Sequence, residues 1–177
     1  TFTDASAASG TDIGIDAMTV TIGDYNYDGL LDIYITNGSD GNVLFKNVGD
    51  ETFTDVATST GTLFNSFGWG AVFFDAENDT DLDLYVSGTY IPNPIFMSSA
   101  FYENNDSGVF NIPANSGLGN DTGDSYSNAI GDLNNDGLPD IVVTNSSNQN
   151  IFLWQNQTTT ANKWLKVKLE GTESNSN

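Results

Sequence analysis

The residues best placed to do chemistry are acidic ones spaced by twos. Asp24, Asn26, Asp28 and Asp32 stand at positions 1, 3, 5 and 9 of a loop that begins at Asp24 in the segment IGDYNYDGLLDIY. Alternate residues of a tightly curled loop point inward, so this spacing aims side-chain oxygens at one point. Leu30, at position 7, offers its backbone carbonyl, and Gly29, at position 6, permits the left-handed backbone of a sharp turn. Ile130 to Val142 repeats the scheme with Asp132, Asn134, Asp136, the carbonyl of Leu138, and Asp140, turning at Gly137. Phe73 to Tyr85 is a departure: Asp75, Glu77, Asp79, the carbonyl of Asp81, and Asp83 are in place, but Glu77 is one methylene longer and Thr80 replaces glycine. A β-branched residue at positive φ is costly, so this loop is expected to curl differently or bind more weakly.

Such a set offers only hard oxygen donors, with no His or Cys in the chain, and that selects calcium over zinc or copper. Magnesium, which keeps its waters and demands strict octahedral geometry, suits it less. Plain turn chemistry accounts for one Asp-Gly, not for acidic clusters in three copies, whose carboxylates repel by on the order of 1 kcal/mol per pair even at solvent dielectric. Up to three Ca2+ ions are expected, at affinities of about 0.1 to 1 mM. Those sites would stand empty in a cytosol, so an extracellular or cell-surface location follows. Paired carboxylates also cleave glycosides, but here they fall in metal-type loops, and without His, Cys or Arg most catalytic pairings are missing. The chain is expected not to be an enzyme.

The elements that must hold these loops repeat with them. Asp24, Asp75 and Asp132 recur at intervals of 51 and 57 residues. A second marker follows each loop: Leu44-Phe45-Lys46-Asn47, Phe101-Tyr102-Glu103-Asn104 and Leu153-Trp154-Gln155-Asn156. A third is Phe2-Thr3-Asp4 against Phe53-Thr54-Asp55, with Phe110-Asn111-Ile112 as a weaker copy. Strands are expected at Met18 to Ile22, Leu31 to Thr36, Asn42 to Asn47 and Thr52 to Val56, separated by Asn-Gly, Asp-Gly and Gly-Asp turns. Four short strands per repeat predict an all-β fold of β-propeller-type blades: three four-stranded antiparallel repeats in a partial or open propeller. The blades fall at about 16–60, 67–113 and 125–171 of a single repeat domain covering 1–177, the last strand coming from the C-terminal segment.

Composition agrees. Apolar residues make up 38% and aromatics 12%, enough for a packed core, and no window carries a capped helical stripe. Four lysines face 24 acidic residues, a formal charge of -20, which excludes nucleic acid and anionic membrane surfaces as partners. No apolar run reaches the roughly 18 residues of a membrane helix, so no membrane insertion is expected. The absence of cysteine leaves bound metal as the available staple. A chain that starts at Thr1 without a signal-like segment reads as a processed or excised piece.

The loops GDYNYDGLLDIYITN, FDAENDTDLDLYVSG and GDLNNDGLPDIVVTN resemble the repeats of the FG-GAP and VCBS class, found in integrin α-subunit propellers and many bacterial surface proteins. The linkers LFKNVGDETFTDVA and FYENNDSGVFNIP are similar to those of the cartilage acidic protein group, and NKWLKVKLEGTESN to the start of its ASPIC/UnbV segment. The resemblance implies a propeller with calcium between the first two strands of each blade, acting in adhesion or scaffold assembly without catalysis. Alternatives are a carbohydrate-binding, lectin-like propeller and a self-assembling surface fibre subunit. Partners are then a protein or glycan ligand, or further copies of the chain itself. In the tail, Leu165, Val167 and Leu169 alternate with lysines as in an edge strand. Glycosylation acceptors stand at Asn37, Asn78, Asn105, Asn120, Asn145 and Asn156. Trp69, Trp154 and Trp164 are expected to pack rather than to stack on sugars.

Overall fold

The computed structural model describes residues 1–168 apart from 94, 106, 119, 120 and 147. Three antiparallel meanders follow one another along the chain. β1 (Val20–Gly23), β2 (Asp32–Ile35), β3 (Val43–Gly49) and β4 (Thr52–Asp55) form the first blade in spatial order, and β5 (Gly68–Phe74), β6 (Asp83–Gly88), β7 (Ser99–Asn104) and β8 (Phe110–Asn111) the second. The third has β9 (Ser125–Gly131), β10 (Asp140–Asn145) and β11 (Phe152–Trp154). Each loop of interest joins the first two strands of a blade, and its ends are fixed by register: Gly23 pairs Asp32, Phe74 pairs Asp83 and Gly131 pairs Asp140. The fold is all-β with propeller-type blades, and among the described residues the array is open, with no sheet closing into a barrel.

The blades stack face to face because their strands are apolar on both sides. Tyr34 and Leu44 from blade one meet Phe73, Leu84, Val86 and Tyr102 from blade two in one core cluster. The opposite side of blade two, through Phe74 and Tyr85, packs on Ile141 and Val143 of blade three. Being covered on both faces, all six residues of β6 are buried, which explains a strand that lacks polar alternation. Single helical turns, α1 (Ser6–Ser9) and α2 (Ala57–Thr60), end at Gly10 and Gly61 in the left-handed conformation. Both were outside the expected strand pattern, being too short to carry a helical stripe.

The third blade differs from the expectation. Among the described residues it has three strands, and residues 161–168, expected to supply the fourth, form none. The tail is held across the loops instead: Asn162 Nδ2 donates to the Glu77 carbonyl (3.1 Å) and Lys166 Nζ to Asn135 Oδ1 (2.7 Å). Leu165 and Val167 are left 84% and 66% exposed, so the alternation finds no sheet face to cover. Leu169 lies outside the described residues.

Candidate metal centres

All three loops share one backbone. Position 4 is left-handed in each, at Tyr27 (φ 57°), Asn78 (58°) and Asn135 (61°), and so is position 6, at Gly29 (83°), Thr80 (85°) and Gly137 (90°). The expectation that Thr80 makes the second loop curl differently is not met: the loop takes the same path and Thr80 carries the strain. Sequence reasoning also missed the second left-handed residue, for which Asn at two of the three positions was the available signal. At Gly137 the indole of Trp164 lies so close that a Cβ has no room, a second demand for glycine there.

The side chains hold this path by accepting hydrogen bonds from loop amides. Asp24 accepts from Asp28 N (3.1 Å) and Gly29 N (2.9 Å); Asp75 accepts from Asp79 N and Thr80 N at the same distances. Asp132 Oδ2 accepts from Gly137 N (3.2 Å), while its buried Oδ1 has no hydrogen-bond partner. At position 5, Asp28, Asp79 and Asp136 each accept from the amide two residues on, that of Leu30, Asp81 and Leu138. Asn26 and Asn134 at position 3 accept from the position-5 amide and donate to its carboxylate. Among the described residues, no three acidic side chains draw together tightly enough to hold an ion by carboxylates alone.

Position 9 ties loop to sheet. Asp32, Asp83 and Asp140 are buried, and each spans two amides: that of Tyr25, Ala76 or Leu133 in its loop, and that of Asn47, Asn104 or Asn156 in the second marker. The marker asparagines extend the chain of bonds to the neighbouring blade. Asn104 Nδ2 donates to the carbonyl of Tyr25 in blade one (2.8 Å), and Asn156 Nδ2 to that of Ala76 in blade two (2.8 Å). Each of these two inter-blade hydrogen bonds therefore lands on a loop of the preceding blade.

Burial shapes the charge. It pushes the Asp32 carboxyl up to about 6, against the pull of its two amide bonds. In the second loop, burial raises Glu77, and the hydrogen-bonded Asp83 carboxyl raises it further, so a proton shared by the pair resides on Glu77. Lys46 Nζ lies 3.6 Å from Asp28 Oδ2 in a half-exposed pair of little energetic weight.

The acceptor asparagines divide sharply. Asn37 is buried and donates to the Gly41 carbonyl, while Asn78 and Asn156 donate across blades, to Gly137 and Ala76. Asn145 donates to Asn150, Asn105 turns its oxygen onto Ser107, and Asn120 lies outside the described residues. Trp69 donates to Thr89 Oγ1 (2.7 Å) and meets the Tyr126 ring edge-on, and Trp154 packs on Phe152. No helix among the described residues is long and apolar enough to cross a membrane.

Residues 24–86 match the FG-GAP-like repeat family, and residues 125–153 the FG-GAP repeat family. No curated protein matches the chain. Among solved structures it is similar to an Agrocybe aegerita lectin that recognises non-reducing terminal N-acetylglucosamine, at 18% identity and a TM-score of 0.41. That match covers 80% of this chain and 39% of the lectin, so the chain spans well under half the lectin's length. All three loops thus lie within stretches that match FG-GAP repeat families.

Proposed function

We propose that the chain is a non-enzymatic, calcium-stabilised module that acts outside the cell in adhesion or scaffold assembly. The observation that carries this reading is the threefold loop, with the same two left-handed residues and the same amide-capping scheme. The fit to calcium is one of donor type. Asp24, Asn26, Asp28, Asp32 and the Leu30 carbonyl would hold the first ion; Asp75, Glu77, Asp79, Asp83 and the Asp81 carbonyl the second; and Asp132, Asn134, Asp136, Asp140 and the Leu138 carbonyl the third. Two local features favour a cation: the buried Asp132 Oδ1 lacks a partner, and the Glu77 and Asp83 carboxyls touch. Bound calcium supplies positive charge that removes the repulsion between these carboxylates.

The chain's own residues set what that charge does. Position 9 joins the loop to the marker asparagine, so a rigid loop steadies both its sheet and the contact with the next blade. An extracellular setting supports this role, since free calcium there matches the expected millimolar affinity. The narrower likeness, to the cartilage acidic protein group with an ASPIC/UnbV segment, rests on the linkers and the tail from Asn162.

The test is thermal unfolding with millimolar calcium, with magnesium, and with a chelator. Calcium should raise Tm and slow proteolysis where magnesium does neither. Identical curves in all three would remove calcium from the proposal.

A further inference from the structure

The three loops share a backbone but not their surroundings. In ligand positions the first offers the carboxylates of Asp24, Asp28 and Asp32, and the third those of Asp132, Asp136 and Asp140. The second adds a fourth to Asp75, Asp79 and Asp83, because Glu77 stands where the others have Asn26 and Asn134. Affinity of an oxygen site for calcium is tuned by the charge of its ligands and by the rigidity of the loop that holds them. The loops are braced alike: position 6 donates its amide to the first aspartate in each, at 2.9 Å from Gly29, 2.9 Å from Thr80 and 3.2 Å from Gly137. Thr80 follows the path of the two glycines, so its strain falls on the fold rather than on the site. What differs is charge.

The second marker carries that difference further. Ile33 pairs Phe45, Leu84 pairs Tyr102 and Ile141 pairs Trp154, so the next residues, Lys46, Glu103 and Gln155, hold one equivalent place beside the three loops. Lys46 Nζ lies 3.6 Å from Asp28 Oδ2, the position-5 carboxylate of its own loop. Glu103 borders the same cleft as Glu77, near enough for its charge to be felt at that carboxyl. One place in the blade thus sets a positive charge against the first loop and a negative charge beside the second. The third loop, whose marker residue is the neutral Gln155, receives a cation from residues 162–168. Lys166 Nζ donates to Asn135 Oδ1 (2.7 Å), and the Trp164 indole lies over Gly137.

An ammonium beside a cation site weakens it, and a carboxylate strengthens it. The pair of Lys46 and Asp28 is half exposed and adds little to stability. Its effect on a doubly charged neighbour is larger, since a few Å is well inside the screening length of about 8 Å at physiological salt.

We infer that the second loop is the high-affinity calcium site, that Lys46 and Lys166 hold the first and third loops to weaker binding, and that the marker residue, Lys46 or Glu103, sets much of the difference. This order reverses the expectation drawn from Thr80. It deepens the calcium reading above and rests on it. Loop two is then filled first, and it is the loop whose Ala76 carbonyl accepts the Asn156 bond from blade three. Loops one and three fill later, towards the upper part of the expected range of about 0.1 to 1 mM.

The experiment is a calcium titration of the whole chain by amide NMR at physiological salt, following the amides of Gly29, Thr80 and Gly137, which occupy the same place in the three loops. The Thr80 midpoint should lie about tenfold below the other two. Glu103→Gln should raise the Thr80 midpoint about threefold and leave that of Gly29 in place. Lys46→Gln should lower the Gly29 midpoint about threefold, Lys46→Glu should lower it more, and Lys46→Arg should not move it. Both glutamine variants install the residue that blade three carries at this place, and the dispersion of each spectrum reports that the variant is folded. Lys166→Gln should act on Gly137 as Lys46→Gln acts on Gly29. Equal midpoints, Thr80 moving last, or midpoints indifferent to both Lys46→Gln and Glu103→Gln would overturn the inference. No shift at any of the three amides would end the calcium reading together with this inference, whereas shifts in another order would end this inference alone.

Discussion

At the scale of single residues, the second loop is where the repeat is under strain. Thr80 sits at φ 85° in a place where its two counterparts are glycine, and a left-handed backbone costs a non-glycine residue about 1–2 kcal/mol. Thr80→Gly should therefore raise stability by about 1 kcal/mol, read as a higher denaturant midpoint with an unchanged slope. An unchanged midpoint would mean that the threonine side chain returns the cost elsewhere. Asn156 works in the other direction. Its Nδ2 donates to Ala76 and Pro139 while its own amide donates to Asp140, so Asn156→Ala strands two carbonyls and should cost about 1–3 kcal/mol. The equivalent Asn47→Ala, whose Nδ2 makes one longer bond to Leu31 and none to another blade, should cost less. Equal losses at Asn47 and Asn156 would show that the inter-blade bond contributes nothing.

At the scale of the loop, much was legible because ligand-type spacing and turn glycines lie next to one another in sequence. That Asp24, Asn26, Asp28 and Gly29 share one curled loop could be read from local spacing alone. The role of Asp32 could not: its bond to Asn47 spans 15 residues, and those of Asp83 and Asp140 to their asparagines span 21 and 16. Both markers were visible as repeats, but hairpin register brings them together, and register follows from packing of the whole blade. Tyr27 was equally hidden, since an aromatic at positive φ carries no sequence signature. The loops also predict a pH dependence. Asp32 titrates near 6 in the fold, and Glu77 is raised by burial and by Asp83, so the folded chain holds these protons more tightly than the unfolded one. Their contribution is fully present below the ordinary carboxylate range and is lost as pH rises through the folded values. Without calcium, stability from these groups should thus fall between about pH 4 and neutrality, and the gain in Tm on adding calcium should grow from about pH 5 to about pH 8. A calcium effect that is flat across this range would detach the carboxyls from the metal.

For the whole molecule, the decisive asymmetry is that blade two is covered on both faces and blades one and three on one. Leu84, Tyr85 and Val86 are fully buried, between Leu44 on one side and Val143 on the other, while Val20 and Leu153 at the outer faces are more than half exposed. In a stack where each blade contacts only its neighbours, stability is nearly a sum of blade and interface contributions, so an end blade opens by breaking one interface and the middle blade by breaking two. Amide exchange should follow that order. The amides of β6 should be the slowest in the chain, and those of β2 and β10 should exchange faster by a factor set by one inter-blade interface. Uniform protection in dilute solution would mean that the three blades open as one unit, and the stack would then have to be treated as a single cooperative core rather than as a row of blades.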